Sequence, residues 1–510
     1  MRSVRLREPP CHLFGALSLN TDVGANFGAL IQIIFATPCA LYLLQAFDFK
    51  SRREPQSRSM NPIKIDEAAL VMRRAAPLPR YTSYPTANHF VPTVGPADYR
   101  KWLGALEDDA ALSLYVHIPY CNDLCWYCAC STKATHRYEP VARYLETLQC
   151  EIASVAALLP RRHHVTHIHW GGGSPDILSA PDIARLGDTL RRNFQFDDAP
   201  EFAIEIDPRL MTEAKADVMV GIGINRISIG VQDFDPAVQV AIGRSQGYEV
   251  TKATVDMFRA RDVASVNFDL VYGLPQQTMQ SLSRTIEQVL ELSPDRIAMF
   301  GYAHLPWKAP NQKLIDEKTL PGPIERFKMA RQVTTQLEDA DYRQLGLDHF
   351  ARYDDSLATK PLHRNFQGYT TDRTNALIGL GASAIGKLPQ GYMQNAVAAA
   401  DYASRIDQGG LATVRGRALT PDDRLRAFVI ERLMCDFEFS AAAVMRNFDD
   451  ASSALLDEAD AIVAEDGDGF VESTTTGFRL TSLGRPFVRN ICARFDAYLK
   501  VAAGQHSLSV

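Results

Sequence analysis

The stretch YCNDLCWYCAC, residues 120–130, holds four of the chain's nine cysteines within ten residues. The spacing Cys121-x-x-x-Cys125-x-x-Cys128 puts three soft ligands on one short loop, and thiolates so grouped hold iron–sulfur clusters or zinc. Structural zinc sites usually draw two Cys-x-x-Cys pairs from separate segments, and this chain has no second pair. Three thiolates leave a fourth metal position open, and an open iron in a cluster can take a substrate atom. Spacing alone leaves zinc as the alternative. Trp126 and Tyr127 read by themselves as loop packing, and Cys130 as a bystander thiol.

A second chemical motif is HWGGGSP, residues 169–175. Its glycines let the backbone bend and approach a ligand closely, and exposed N–H groups there could bind a carboxylate. Glu205 in AIEIDPR could bind ribose hydroxyls or an ammonium group, with Asp207 as a helix cap. Gln232, Arg244 and Asp269 follow in GVQDF, GRSQ and NFDLVYGLP. Singly, each of these polar residues reads as structural. Their recurrence beside apolar runs points to a polar site built at strand ends.

The elements that must position them alternate. LSLYVHIPY, VTHIHWGGG, EFAIEIDPR, NRISIGVQDF, SVNFDLVYGLP and RIAMFGYAHLP have the length and Val/Ile/Phe/Tyr density of buried strands. Amphipathic patterns such as PVARYLETLQCEIASVAALL and QSLSRTIEQVLEL lie between them. Alternating strand and helix predicts a parallel sheet with right-handed crossovers. Six units predict an α/β fold, a partial (β/α)6 TIM-like barrel, with chemistry at the C-terminal strand ends. The pattern then changes: DDRLRAFVIERLMCDF reads as a helix, GFVESTTTGFRLTSLGRPF as a hairpin with helix onset, and VRNICARFDAYLK as a terminal helix. The expected organisation is an extension at 1–59, a lead-in at 60–110, the barrel at 111–345, a connecting region closing the site at 346–416, and a small winged-helix-like domain at 417–510.

Bulk properties exclude some classes. Of 510 residues, 46% are apolar and 22% charged, with a formal net charge of −6. Basic residues are scattered, so nothing favours a nucleic-acid partner. The other cysteines, Cys11, Cys39, Cys150, Cys435 and Cys492, are widely spaced and odd in number, which argues for a reducing, cytoplasmic setting. Residues 23–47 carry no charge and are long enough to consider as a membrane span. Basic residues flank them on both sides, and Pro38, Gln32 and Gln45 weaken the case. The expectation is an accessory or misassigned extension, with the working protein starting near Met60 and no membrane association.

The cysteine spacing resembles the radical S-adenosylmethionine superfamily. The ordered set PRYTSYPTA, SLYVHIPYC, HWGGGSP, IEIDPR, SIGVQDF, VYGLPQQT, YAHLP, LDHFARYDD, LHRNFQGYTT and RNICARFDAYL goes further. Over roughly residues 62–505 it resembles the oxygen-independent coproporphyrinogen III oxidases. The resemblance implies that Cys121, Cys125 and Cys128 hold one 4Fe–4S cluster whose open iron chelates S-adenosylmethionine. It places Tyr115, Gly172, Glu205 and Leu345 at positions for that molecule. Tyr127, Gly173, Ser174, Gln232, Arg244, Asp269 and Ala303 fall at positions for a second one. Many relatives carry Phe, Thr and Ile where Tyr127, Ser174 and Leu345 stand. Cys130 completes a C-x-C ending typical of the oxidases; it is not a ligand, and its step is unassigned.

The implied reaction converts two propionates of coproporphyrinogen III to vinyl groups, giving protoporphyrinogen IX in haem synthesis. The implied partners are an electron donor such as flavodoxin or ferredoxin, and the implied state is a monomer. Arg80 and Arg364 are candidates to meet substrate propionates. The main alternative is a haem chaperone of the same fold, whose members usually lack the C-x-C ending and the RYTSYPT and HRNFQGYTT segments. A zinc-stabilised hydrolase or binding protein is the second.

Overall fold

Each of the six apolar runs forms a strand, and the six pair in parallel in chain order. They are β1 (Leu112–Ile118), β2 (His164–Gly172), β3 (Gln195–Ile206), β4 (Arg226–Gln232), β5 (Ser265–Tyr272) and β6 (Arg296–Gly301). The structure is a computed structural model that describes residues 66–263, 265–448, 452–499 and 506–509. The apolar stretch at 23–47 lies outside these. Among the described residues no helix is long and apolar enough to cross a membrane.

A helix follows each parallel strand, from Glu139–Ala156 after β1 to Pro323–Asp339 after β6. One side of the sheet packs Leu114, Val116, Ile168, Trp170, Ile204, Ile227, Phe268 and Ile297 against those helices in a single core. Full burial of such side chains contributes about 1.5–3 kcal/mol each. Because side chains alternate along a strand, burying that row turns the other row to the opposite face. The register aligns the second row's polar members: Tyr115 lies opposite His169, Glu205 opposite Ser228, and Ser228 opposite Asn267.

The sheet does not stop at six strands. β7 (Tyr342–Leu345) and β8 (His349–Arg352) add antiparallel beyond β6. On the other side β9 (Leu377–Leu380) pairs in parallel with β1, and β10 (Ile385–Leu388), β11 (Gly391–Asn395) and β12 (Thr413–Ala418) continue antiparallel. The full order is β12-β11-β10-β9-β1-β2-β3-β4-β5-β6-β8-β7. Thus residues 346–416, expected as a connecting region, supply strands to the main sheet. The last strand runs to Ala418, two residues past the end of that region.

Glu151 ties this added sheet to the barrel. It sits buried on Glu139–Ala156 and accepts from Gly381 N at 2.6 Å, Asn395 Nδ2 at 2.7 Å and Tyr402 Oη at 2.7 Å. Those donors come from the turn after β9, the end of β11, and the helix Ala399–Asp407. Glu151→Ala leaves the Gly381 N–H and the Tyr402 hydroxyl without this acceptor, while Asn395 Nδ2 keeps the Gly381 carbonyl at 2.9 Å. An orphaned buried polar group costs roughly 1–3 kcal/mol, so a loss of about 3 kcal/mol or more is expected in urea unfolding.

A second core joins Leu70, Val71, Tyr81 and Tyr84 of the lead-in to Val429, Phe439, Phe478, Phe487 and Phe495. Helix Pro421–Asp436 and a three-stranded sheet of Glu438–Ser440, Gly477–Leu480 and Val471–Thr474 build it. The expected terminal helix is short, Val488–Cys492. Beyond it, side chains take over the backbone donors: Ala497 N–H bonds Tyr84 Oη at 2.9 Å and Tyr498 N–H bonds Asp496 Oδ1 at 2.9 Å.

Candidate active site

The C-terminal ends of β1 to β6 surround a cavity of about 730 Å³. Cys121, Cys125, Cys128 and Cys130 line it, with Tyr115, Tyr127, Gly172, Gly173, Ser174, Glu205, Gln232, Arg244, Asp269 and Ala303. Leu345 is not brought into it. That side chain is buried in a separate cluster with Ala351, Leu357, Leu362 and Tyr369, because β7 lies at the sheet's edge beyond β8.

The cysteine loop is pinched at its base. Tyr120–Cys121 pairs with Lys133–Ala134 in a two-residue parallel ladder, so residues 122–132 project as one excursion. Cys128 N–H bonds the Cys125 carbonyl at 3.2 Å, and Cys130 N–H points at Cys128 Sγ from 3.4 Å. Cys121 Sγ lies 3.1 Å from Thr132 Oγ1. Among the described residues no three Cys, His or carboxylate groups converge as a single ion would require.

Two residues without a sequence motif, Asn311 and Gln312, hold this loop by its carbonyls. Asn311 Nδ2 donates to the carbonyls of Cys125 at 3.0 Å, Trp126 at 3.2 Å and Cys128 at 2.8 Å. Gln312 Nε2 donates to the carbonyls of Tyr127 at 2.6 Å and Ala303 at 3.1 Å. Both lie in a single-turn segment, Pro310–Leu314, after β6. Their only sequence signal is an Asn-Gln pair in a loop, which carries no periodicity.

The glycine loop works differently from expectation. Its N–H groups are already used: Gly172 bonds Glu205 Oε2 at 3.2 Å, Gly173 the Ile118 carbonyl at 2.9 Å, and Ser174 the Tyr120 carbonyl at 2.8 Å. None of the three points a free donor at a ligand carboxylate. The glycines instead permit close packing. Gly172 has φ of +114°, and a Cβ there would meet the His117 ring at 2.6 Å. At Gly173 a Cβ would stand 2.4 Å from the Tyr120 carbonyl oxygen and 2.5 Å from Thr132 Oγ1. Gly173→Ala is therefore expected to push the loop base off β2. Iron bound per chain after reconstitution should fall by about 10- to 100-fold in affinity, as for lost supports of a metal site. Wild-type iron content in that variant would refute this.

Glu205 closes β3. Its Oε1 meets His169 Nε2 at 3.0 Å, and burial, which would raise its pKa, is outweighed by His169 and the Gly172 N–H, which hold it below the usual range. Tyr115 stacks on His169 and meets His117 Nδ1 at 3.0 Å. His117 Nε2 faces the Ser131 carbonyl at 2.9 Å, and burial lowers its pKa. Neither histidine was singled out from sequence. The signal was present: Tyr115 and His117, and His167 and His169, recur at period two on adjacent strands.

Gln232 has φ of +67° where the β4–β5 register slips. A side chain in the left-handed region marks a bulge that re-aims the chain at a site. Arg244, nearly fully buried, donates to the Gly230 carbonyl at 2.8 Å, Gln246 Oε1 at 3.0 Å, Cys125 Sγ at 3.4 Å and Asp207 Oδ2 at 3.5 Å. Burial opposes its charge, but Tyr127, Asp207 and Cys125 keep its pKa well above the ordinary value. Asp207 is not only a cap, since it also pairs with Arg209 at 2.5 Å. Asp269 accepts from Ser228 Oγ at 2.8 Å and Asn267 Nδ2 at 2.9 Å; burial and Glu205 raise its pKa. Tyr127 packs against Val238, Ile242, Val271 and Tyr302 on the cavity wall.

Comparison with known proteins agrees with this geometry. The Radical SAM superfamily profile matches residues 115–289 and the HemN C-terminal domain profile residues 419–487. The oxygen-independent coproporphyrinogen III oxidase of Bradyrhizobium diazoefficiens is 45% identical over 437 residues, 85% of this chain and 97% of that protein. The Escherichia coli protein of the same name is 39% identical over 456 residues, 88% of this chain and 99% of its own. The solved structure of coproporphyrinogen III oxidase from Escherichia coli, described as a radical SAM enzyme, superposes with a TM-score of 0.80 at 38% identity, covering 85% of this chain and 99% of that one. With Cys121, Cys125 and Cys128 on the loop after its first barrel strand, this chain belongs to the oxygen-independent coproporphyrinogen III oxidase family of the radical SAM superfamily.

Proposed function

We propose that this enzyme decarboxylates two propionate side chains of coproporphyrinogen III oxidatively and without oxygen, giving protoporphyrinogen IX for haem synthesis. The observation that carries the reading is one cavity at the strand ends of a near-full-length relative of these oxidases, lined by the cysteine trio, Glu205, Arg244 and Asp269.

The donor set fits a 4Fe–4S cluster, with Cys130, the loop's fourth cysteine, left out of the ligand set on the family resemblance. Cys121, Cys125 and Cys128 would hold it. Cluster-bound S-adenosylmethionine supplies a 5′-deoxyadenosyl radical able to take hydrogen from an unactivated carbon. The chain's own residues do the positioning. Glu205, kept ionised by His169 and the Gly172 N–H, is an acceptor for an ammonium group or ribose hydroxyls. Gly172 leaves room beside His117. Arg244 sets a fixed positive charge beside Cys125. Asp269, oriented by Ser228 and Asn267, offers a second acceptor at the cavity floor. Tyr127 and its apolar neighbours exclude water from that wall.

The same residues support two S-adenosylmethionine molecules. Tyr115, Gly172 and Glu205 face one, and Tyr127, Gly173, Ser174, Gln232, Arg244, Asp269 and Ala303 serve the second. A low-potential donor such as flavodoxin or ferredoxin would charge the cluster, and the enzyme would act as a cytoplasmic monomer.

The test is anaerobic reconstitution with iron and sulfide, followed by substrate, S-adenosylmethionine and reductant. Protoporphyrinogen should accumulate with two carbon dioxide released per ring. Tight haem binding without vinyl formation would overturn the enzyme reading in favour of a chaperone.

A further inference from the structure

A second cavity, of about 330 Å³, adjoins the first and shares Arg80, Gly301 and Tyr302 with it. Its lining includes six arginines and two carboxylates. Apart from Arg80 and Arg364, its lining has no part in the proposed chemistry.

The arginines converge on the end of β6. Arg80 donates to the Gly301 carbonyl at 2.6 Å, while a Cβ on Gly301 would lie 3.1 Å from Arg326 Nη2. Gly273, with φ of +80°, leaves room for Arg326 in the same way, its Cβ position being 2.8 Å from Nη1. Arg326 sits against the Tyr272 ring at 5.8 Å. Its Nε is buried with no hydrogen-bond partner among the described residues, and so is Arg364 Nη1. The rest of Arg364 bonds only the carbonyls of Tyr81 and Arg80, at 3.3 Å each, over the Tyr369 ring. Arg489 is spent on carbonyls, among them Pro79 at 2.9 Å and Leu508 at 2.8 Å. Of the two carboxylates, Asp348 is held by His349 at 2.8 Å and its charge also bears on Arg364 and Arg80, leaving Arg326 without that counter-charge.

Guanidinium groups brought together in a half-closed space repel one another and lose hydration. Such groups are normally paired when buried. Arginines that line a cavity and keep buried donors unpaired make its wall a receptor for an anion, and the planar fork of arginine suits a carboxylate best. Burial and the neighbouring charge of Arg80 both act against the charge on Arg326, which an incoming carboxylate would relieve.

We propose that this second cavity binds the two propionates of the tetrapyrrole that do not react, with Arg326 and Arg364 as their partners and Arg80 at the junction between the cavities. The assignment rests on the tetrapyrrole reading above. Two of four propionates leave as carbon dioxide, so two stay anionic throughout and need fixed counter-charges. A cavity that shares Arg80, Gly301 and Tyr302 with the catalytic one lies where one half of the ring could be held while the other half reaches the radical source.

The experiment measures fluorescence binding of coproporphyrin III and of its tetramethyl ester to the reconstituted protein, in wild type, Arg326→Gln and Arg326→Lys. S-adenosylmethionine binding and cluster absorbance are followed in the same samples. The acid should bind roughly 10- to 100-fold more weakly to Arg326→Gln, the range for a lost charged hydrogen bond. Arg326→Lys should recover part of this, and the ester should bind wild type and variant equally weakly. Cluster absorbance and S-adenosylmethionine affinity should not move. Unchanged binding of the acid in Arg326→Gln, or ester binding as tight as acid, overturns the proposal. Loss of S-adenosylmethionine affinity instead would move the carboxylate's source to that molecule and equally overturn it. Wild type that binds the acid through Arg326 but forms no vinyl product sinks the proposed function alone. Turnover by Arg326→Gln at an unaltered KM sinks the cavity assignment alone.

Discussion

Replacing Cys125 with serine is expected to abolish the visible sulfur-to-iron absorption of reconstituted protein and, with it, 5′-deoxyadenosine formation, by more than about a thousandfold. The size follows from the ligand's place. Cys125 is the buried member of the trio, its sulfur 3.4 Å from Arg244 and its carbonyl 3.0 Å from Asn311. Serine keeps the hydrogen bond but offers a hard oxygen with a far higher pKa, which iron in a sulfide cluster holds poorly. Loss of an outer support typically costs 10–100-fold in metal affinity, and loss of a direct ligand costs more. Cys130→Ser is the control. Cys130 follows the third ligand closely and is not a ligand on this reading, so the absorption should survive there. If Cys125→Ser kept a full charge-transfer spectrum, or if wild type were colourless and held zinc, the cluster assignment would fall.

What made this loop legible was local: three thiols at fixed spacing, directly after an apolar run. The barrel was legible for a related reason. Its six parallel strands are buried on at least one face and read as dense apolar segments, with amphipathic helices between them. The added strands lack that signature. LIGL, IGKL and GYMQN are four or five residues long and contain glycine, and their pairing with β1 or with one another depends on partners more than 250 residues away for β9. The polar site divided in the same way. Glu205, Gln232 and Asp269 stand at strand ends, where position alone suggested a role. Asn311 and Gln312 serve through amide contacts to carbonyls of a loop about 185 residues earlier, which no local pattern records. The glycine loop misled for a physical reason. Glycine permits both free N–H groups and close packing, and only the fold shows that Glu205 and the carbonyls of Ile118 and Tyr120 consume the donors. Leu345 was placed by resemblance alone, and an edge strand buried it elsewhere.

Arg244→Leu is expected to cost both stability and activity, and the comparison with Arg244→Lys separates the two. The guanidinium spans four acceptors on different elements: the Gly230 carbonyl at the β4 bulge, Gln246, Asp207 after β3, and the Cys125 sulfur. Leucine fills part of the volume but leaves the buried carbonyl and amide unpaired. Breaking a buried ion pair by removing one partner costs about 3–5 kcal/mol. Because Asp207 keeps Arg209, the lower end, about 3 kcal/mol, is the expected loss in urea unfolding. Activity should fall by about 100-fold or more, since the charge beside Cys125 and the anchor of Gln232's bulge go together. A lysine restores the charge, yet a single ammonium cannot reproduce a planar fork with acceptors on several sides. Stability should therefore recover in large part in Arg244→Lys while activity stays low. Equal recovery of both would mean that Arg244 acts through folding alone. A leucine variant with wild-type stability and turnover would remove Arg244 from the site altogether.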